Sequence, residues 1–288
     1  MNQLNLFFEL TRLKRPIGYM LLFWPCAWGL TVVYDFSSSL KFYFFYLMLF
    51  FLGSVLMRSA GCIVNDVLDR KFDEKVFRTK DRPIASGKIS VKLGLVYAFF
   101  LCLLAFLVLI NFNFFTIIIA LASMPLAFTY PLMKRFTYWP QLFLGITFNY
   151  GLILGWTSIN PEINLIPLIF YFGAIFWTLA YDTIYGFQDI KDDEIIGLKS
   201  TSIKFKSNPV IFLYLCYIIF LSSLIFIGFL NEFSKLYYAS LLLIACHMYF
   251  IQLKNFNPNN PEVCLKIFKS NNLLGLIIFI SLFIGKLF

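Results

Sequence analysis

A single histidine, His247, is all that the sequence offers for imidazole chemistry. That scarcity excludes an HExxH zinc site, multi-histidine iron or haem ligation, and any obvious Ser/His/Asp triad. His247 itself falls in an apolar stretch, where helix packing or hydrogen bonding is the expected role. Charge is also scarce, at 14% of residues against roughly 25% in an ordinary soluble domain. The six cysteines, Cys26, Cys62, Cys102, Cys216, Cys246 and Cys264, have no paired spacing, so they read as packing residues and not as a disulfide or zinc framework. No DNA- or RNA-binding motif, low-complexity tract or long linker is present. The formal net charge of +9 therefore points to membrane topology and to anionic lipid or substrate, with no nucleic acid and no obligate protein partner implied.

What the chain has in abundance is apolar and aromatic surface: 60% hydrophobic residues, 20% aromatic, and a mean hydropathy of +0.79 over 288 residues. A helix needs about 20 mostly apolar residues to cross a bilayer. Blocks of that length recur throughout, whereas a barrel would show short alternating strands. The reading is an all-α polytopic membrane protein, one domain over residues 1–288, with nine candidate spans. They run from Pro16 to Tyr34, Phe42 to Val64, Leu93 to Ile110, Phe114 to Tyr130, Tyr138 to Ser158, Leu165 to Tyr185, Pro209 to Leu230, Leu236 to Leu253 and Leu273 to Leu287.

With nine spans the loops alternate between two sides, and 21 of the 24 lysines and arginines fall on one of them. Only Lys41, Lys235 and Lys286 fall on the other. This asymmetry orients the amino terminus to the cytoplasm and the carboxyl terminus outside. The amino-terminal stretch runs into the first span without a small-residue cleavage site, and Glu9 argues against a transit peptide. It is expected to be retained, in a multi-pass protein of a bacterial inner membrane.

Two cytoplasmic loops are long and charged. The first carries NDVLDRKFD, residues 65–73, in which Asp66, Asp69 and Asp73 step by three and four and share a helical face. The second carries DTIYGFQDIKDD, residues 182–193, with Asp182, Asp189, Asp192 and Asp193. A charge run beside a membrane is ordinarily a solvated face. Two such runs emerging four spans apart, hence on the same side and each near a span end, point instead to a site. Carboxylate oxygens are hard ligands suited to Mg²⁺, which keeps open positions for phosphate. Helical spacing allows Asp66 and Asp69 to share one ion while Asp73 meets another. Arg78, Arg82 and Lys199 follow the acids and supply donors for an anion.

These two segments resemble the NDxxDxxxD and DxxYxxQDxxDD motifs of the UbiA family of intramembrane aromatic prenyltransferases. The resemblance covers nearly the whole chain, nine-span plan included. RPIGYMLLFWPCAWGL, RTKDRPIASGKIS, TYPLMKRFTYWPQ and IGLKSTSIKF are similar to the branch that prenylates 4-hydroxybenzoate on the way to ubiquinone. Departures are small: Gly186 stands where that branch often has Ala, and STSIKFK replaces a more usual Ala after the Thr and Gly after the Phe.

The resemblance implies a helical bundle around a central cavity, with a polyprenyl diphosphate and 4-hydroxybenzoate as substrates and Mg²⁺ as cofactor. It implies metal ligation by Asp66, Asp69 and Asp73 on one side and by Asp189, Asp192 and Asp193 on the other. Asp182 is expected to hold a metal or to take a proton. Asn65 is a metal or phosphate ligand, or a helix cap. Arg70, Arg78, Arg82 and Lys199 are diphosphate candidates. Arg15, Arg58 and Arg135 are candidates for the acceptor's carboxylate, with Arg135 favoured because Tyr130 and Lys134 lie beside it in sequence. Tyr185 and Phe187 are expected to face the allylic cation. The competing readings are a related enzyme acting on a naphthoate, a haem or a chlorophyllide, and a secondary transporter using the carboxylates as its ion site.

Overall fold

The computed structural model, described for residues 3–76 and 78–287, has helices as its only regular elements among those residues. A short helix α1 (Gln3–Leu10) precedes α2 (Ile17–Val33), α3 (Leu40–Asp73), α4 (Val91–Leu109) and α5 (Phe114–Thr129). A 3₁₀ turn (Tyr130–Arg135) leads into α6 (Pro140–Thr157) and α7 (Leu165–Gly186). Two short helices, α8 (Ile190–Ile195) and α9 (Thr201–Lys204), bridge to α10 (Pro209–Leu230). Then α11 (Lys235–Cys246) continues as a π-helix (His247–Leu253), and α12 (Pro261–Leu287) ends the chain.

All nine apolar segments are helices, but only seven of the described helices are long and apolar enough to cross a membrane by length and composition alone. The shorter apolar helix Ile17–Val33 stands apart from these seven. Two ends differ from the sequence reading. Helix α3 runs on without a break from the apolar span through the acidic motif to Asp73. Helix α12 starts at Pro261, twelve residues before the expected Leu273, because Asn260 caps it by accepting from the amides of Glu262 and Val263.

Interhelical polar caps tie the ring together, as a medium without water requires. Asn113 caps α5 through the Thr116 amide at 2.9 Å, and its Nδ2 donates to the Thr157 carbonyl at the end of α6 at 2.7 Å. Helices α2 and α6 make the closest backbone approach, where a side chain on Gly29 or Gly155 would strike the partner helix. Aromatic rings fill the interior, with Trp28 against Phe170 and Trp177. Helix α12 locks α2 and α7 in place: the indoles of Trp24 and Trp177 donate to Asn272 and Asn271 at 2.9 and 2.8 Å. His247 belongs to this buried polar set, 3.3 Å from Gln252 Nε2, and lines neither of the cavities described below. The outer faces of α4, α5 and α10 carry exposed Phe99, Phe114 and Phe229, surface suited to lipid.

Candidate active site

The first charged loop folds back onto α3 because Ile84 and Ile89 bury themselves against Ile63, which brings Arg82 over the acidic face. The second is pinned to the 3₁₀ turn, where the Lys199 amide donates to the Lys134 carbonyl at 2.8 Å, and to α6, where the Thr201 amide donates to Gln141 Oε1 at 2.9 Å. The two loops then meet. Arg78 grips Asp189 with both edges of its guanidinium, Nε to Oδ1 at 2.7 Å and Nη2 to Oδ2, and reaches the Tyr185 hydroxyl with Nη1 at 3.3 Å. This fork-to-carboxylate geometry is the strong form of an ion pair. Burial opposes the Arg78 charge, but the hydrogen bonds it donates to Asp189 and Tyr185, together with the charge of Asp189, outweigh that cost and raise the pKa of the guanidinium.

Between the loops lies a cavity of about 320 Å³ at the ends of α3, α6 and α7. Seven basic side chains line it: Arg12, Arg15, Arg58, Arg78, Arg82, Lys134 and Lys199. The acids on its wall are Asp182, Asp189 and Asp193. Asn65 and Tyr185 also face it, as do Tyr130 and Tyr181. Burial, and then the neighbouring Asp189, pushes the Asp193 carboxyl up to about 6.

The acids of α3 lie behind this cationic layer. Asp66 is 2% exposed and accepts from Arg12 Nη2 and from Arg82 Nη1. Asp73 accepts from the same Arg82 nitrogen at 2.8 Å. Asp69 turns the other way, to Lys134 Nζ and to Arg135 Nη2. Asp66 and Asp69, expected to share an ion, here face different cations: two helical turns align Asp66 with Asp73, while Asp69 points to the 3₁₀ turn. Among the described residues no three acids, histidines or cysteines are grouped to hold a metal. Arg82 Nη1, held between two carboxylates, marks where a cation sits. The donor set, all hard oxygen, suits a divalent ion of the Mg²⁺ kind.

Several expected residues fall elsewhere. Arg70 pairs with Glu74 one turn along α3 on the exposed surface, away from the cavity. Arg135 donates to the Leu68 carbonyl and stacks on Phe72, so it braces α3 and does not line the cavity. Phe187 is buried against Phe256. Asp192 lies outside the lining as well.

The sequence reading missed Arg12 as a site residue. Its backbone sits at φ +55°, a conformation uncommon outside glycine, which turns the chain from α1 into α2 and aims the guanidinium at Asp66. In the sequence Arg12 is one more member of a basic cluster before a span, and nothing there separates it from a topology signal. Tyr181 and Phe148 were also missed, being indistinguishable from packing aromatics.

Arg58 is the unusual cation. Its Nε, like that of Arg135, is buried without a hydrogen-bond partner, as is the hydroxyl of Tyr181, but of the two arginines only Arg58 lines the cavity, together with Tyr181. Gly18 makes room for it, since a Cβ there would lie 2.8 Å from that Nε. The guanidinium carbon stands 5.5 Å from the Phe148 ring centre, and Phe148 meets Tyr130 edge-on at 6.3 Å. Arg58, Tyr130 and Phe148 also border a second, apolar cavity of about 210 Å³ that runs into the membrane region between α3, α4, α5 and α6. The two spaces adjoin at these three side chains.

In this helical bundle a cavity lined by basic side chains adjoins an apolar channel, a pairing that suits an amphiphile with a charged head. The chain belongs to the UbiA prenyltransferase family, whose model matches residues 22–282. It is similar to the mitochondrial 4-hydroxybenzoate polyprenyltransferases of Bos taurus, at 43% identity over 98% of this chain and 75% of that one. The human protein of the same name is 41% identical over 98% and 75%, and the Arabidopsis thaliana one 40% over 97% and 68%. Among solved structures, the fold is similar to a UbiA homolog from Aeropyrum pernix K1, with TM-score 0.77, 21% identity, and 92% and 97% of the two chains covered. A UbiA homolog from Archaeoglobus fulgidus bound to GPP and Mg²⁺ gives TM-score 0.72, 18% identity, and 96% and 99% coverage.

Proposed function

We propose that this chain transfers a polyprenyl group from a polyprenyl diphosphate to the ring of 4-hydroxybenzoate, ortho to its hydroxyl, in ubiquinone biosynthesis. The observation that carries this reading is the junction at Arg58, Tyr130 and Phe148, where a cationic cavity meets an apolar channel. The names of the relatives, at about two-fifths identity over nearly the whole chain, agree with it.

In this reading Arg12, Arg78, Arg82 and Lys199 face the diphosphate, with Arg15 at the exposed rim and Asn65 beside the phosphates. Asp66 and Asp73, with Asp189 and Asp193 opposite, are the residues that would hold Mg²⁺, and Asp69 and Asp192 support them from farther out. When bound, the ion neutralises charge on the diphosphate as it leaves. The mitochondrial relatives' names and the GPP and Mg²⁺ of the Archaeoglobus structure support these assignments of substrate and metal.

The apolar channel shelters the tail and the allylic carbon from water. The carbon–oxygen bond to the diphosphate breaks with both electrons going to oxygen, and the ring carbon of the acceptor supplies the pair for the new carbon–carbon bond. Faces of Tyr130, Phe148 and Tyr185 stabilise the cation between those events. We assign the acceptor's carboxylate to Arg58 and the Tyr181 hydroxyl, whose donors are unpaired. Asp182, on the same cavity wall, then takes the proton that the ring loses, which restores aromaticity.

We further infer nine crossings, with α2 and α6 added to the seven long apolar helices, the amino terminus cytoplasmic, and a cell inner membrane as the location. The concentration of basic residues on one side supports this orientation. The test of function is purified protein with Mg²⁺, 4-hydroxybenzoate and a prenyl diphosphate. A 3-prenyl-4-hydroxybenzoate product, lost in Asp189→Asn, supports the reading; no product with any diphosphate overturns it.

A further inference from the structure

Helix α3 presents one continuous stripe to the apolar channel: Phe50, Gly53, Ser54, Met57, Arg58 and Gly61, spaced by three and four residues. Two of these are glycines, and their surroundings set them apart from the packing glycines of the fold. A Cβ on Gly61 would meet nothing within 4 Å, and one on Gly53 would meet only Val108 Cγ1 at 4.0 Å. By contrast Gly151, on the opposite wall, has Cys26 Sγ pressed against the position of its absent side chain. Glycine costs a helix interior about 1 kcal/mol relative to alanine. At Gly53 and Gly61 no helix contact repays that cost; what the missing side chains leave is channel width.

Gly61 sits one turn from Asn65, hence at the head end, and Gly53 lies about 12 Å farther along α3. From Gly61 to Leu49 at the far end the wall is about 18 Å long. An extended five-carbon isoprene unit advances roughly 5 Å, from four bonds of about 1.5 Å, so the channel encloses between three and four units. Beyond that it opens sideways. Phe106 of α4 and Leu121 of α5 both line the channel and are 41% and 46% exposed. Helix α4 packs mainly on α3, and α5 mainly on α6, leaving a gap between them.

We propose that Gly61 and Gly53 set the width through which the prenyl tail is enclosed, so that the protein discriminates among tails of up to about four isoprene units. This rests on the reading of the substrate as a prenyl diphosphate, and leaves open which acid accepts the group. A side chain at Gly53 falls beside the third unit and blocks longer tails. One at Gly61 falls beside the first and obstructs every tail.

The test measures binding, independently of the acceptor, by displacement of radiolabelled inorganic pyrophosphate from the full-length protein in Mg²⁺ with prenyl diphosphates of two to ten units. In the native sequence affinity is expected to rise up to about four units and then stay level. Gly53→Leu is expected to leave the two-unit compound within about twofold and to weaken the four-unit compound about tenfold or more, from the apolar surface no longer buried. Gly61→Leu is expected to weaken both. Unchanged affinity for inorganic pyrophosphate in each variant reports an intact head site; if Gly53→Leu loses it, Gly53→Val supplies the same comparison. Affinity that climbs steadily to ten units, or a Gly53 variant with the native length profile, overturns the proposal. A length profile as expected with no prenylation of 4-hydroxybenzoate overturns the acceptor assignment alone.

Discussion

Ser202 Oγ occupies the space where Gly186 would carry a side chain, held there by donating to the Thr183 carbonyl at 2.7 Å. The two positions that the sequence resemblance marked as departures from Ala are thus in direct contact, 16 residues apart in sequence. One change makes the space and the other fills it.

Gly186→Ala is accordingly expected to destabilise the protein by roughly 1–3 kcal/mol through overpacking. Ser202→Ala is expected to restore it in the double variant. Thermal unfolding in detergent checks this; additive effects of the two substitutions would contradict the coupling.

Arg58→Gln is expected to raise KM for 4-hydroxybenzoate about 10- to 100-fold, as a charged hydrogen bond worth about 1.5–3 kcal/mol is lost. Affinity for the prenyl diphosphate should stay within about twofold. Arg135→Gln, which the sequence alone made the stronger candidate, should spare the acceptor's KM. Steady-state kinetics with each substrate varied in turn separate the two.

Arg12 binds a carboxylate and faces the anion cavity, so its loss should move two affinities in opposite directions. Arg12→Gln is expected to bind Mn²⁺ more tightly when no diphosphate is present, since Asp66 loses a competing cation. The same variant should bind inorganic pyrophosphate about tenfold more weakly, having lost a charged donor. Electron paramagnetic resonance of Mn²⁺ reads the first and isothermal titration the second; a change of one sign in both would refute the exchange.

Asp182→Asn should depress kcat by a factor of about 100 to 10,000, the usual range for a positioned proton acceptor, and leave both KM values close to native. Chelation of divalent ions should abolish turnover in the native protein, with Mn²⁺ restoring it. A kcat unchanged in Asp182→Asn would assign the ring proton elsewhere.

The helices and both acidic motifs were legible in the sequence because apolar runs of span length and acids at helical spacing are local patterns. The meeting of the loops was legible only as shared sidedness. Which cation serves which acid was not, since that depends on Ile84 and Ile89 drawing Arg82 back over α3, and on a left-handed Arg12. Arg135 and Arg58 illustrate the difference. Both lie toward the cytoplasmic end of an expected span, and only tertiary packing turns Arg135 toward a backbone carbonyl and Arg58, through the gap left by Gly18, into the cavity. The different partners of Asp66 and Asp69 have a related cause: a step of three leaves a lateral offset on the helix, which neighbours from separate elements exploit.

Helix α3 carries the metal-side acids, Arg58 and the glycine stripe on one unbroken rod of 34 residues. Deleting or inserting a single residue between Gly61 and Asn65 would swing everything below it by about 100° relative to the acids. Natural variants of this segment must therefore adapt by exchanging side chains at constant length, and an indel there should be found only in chains that have given up catalysis.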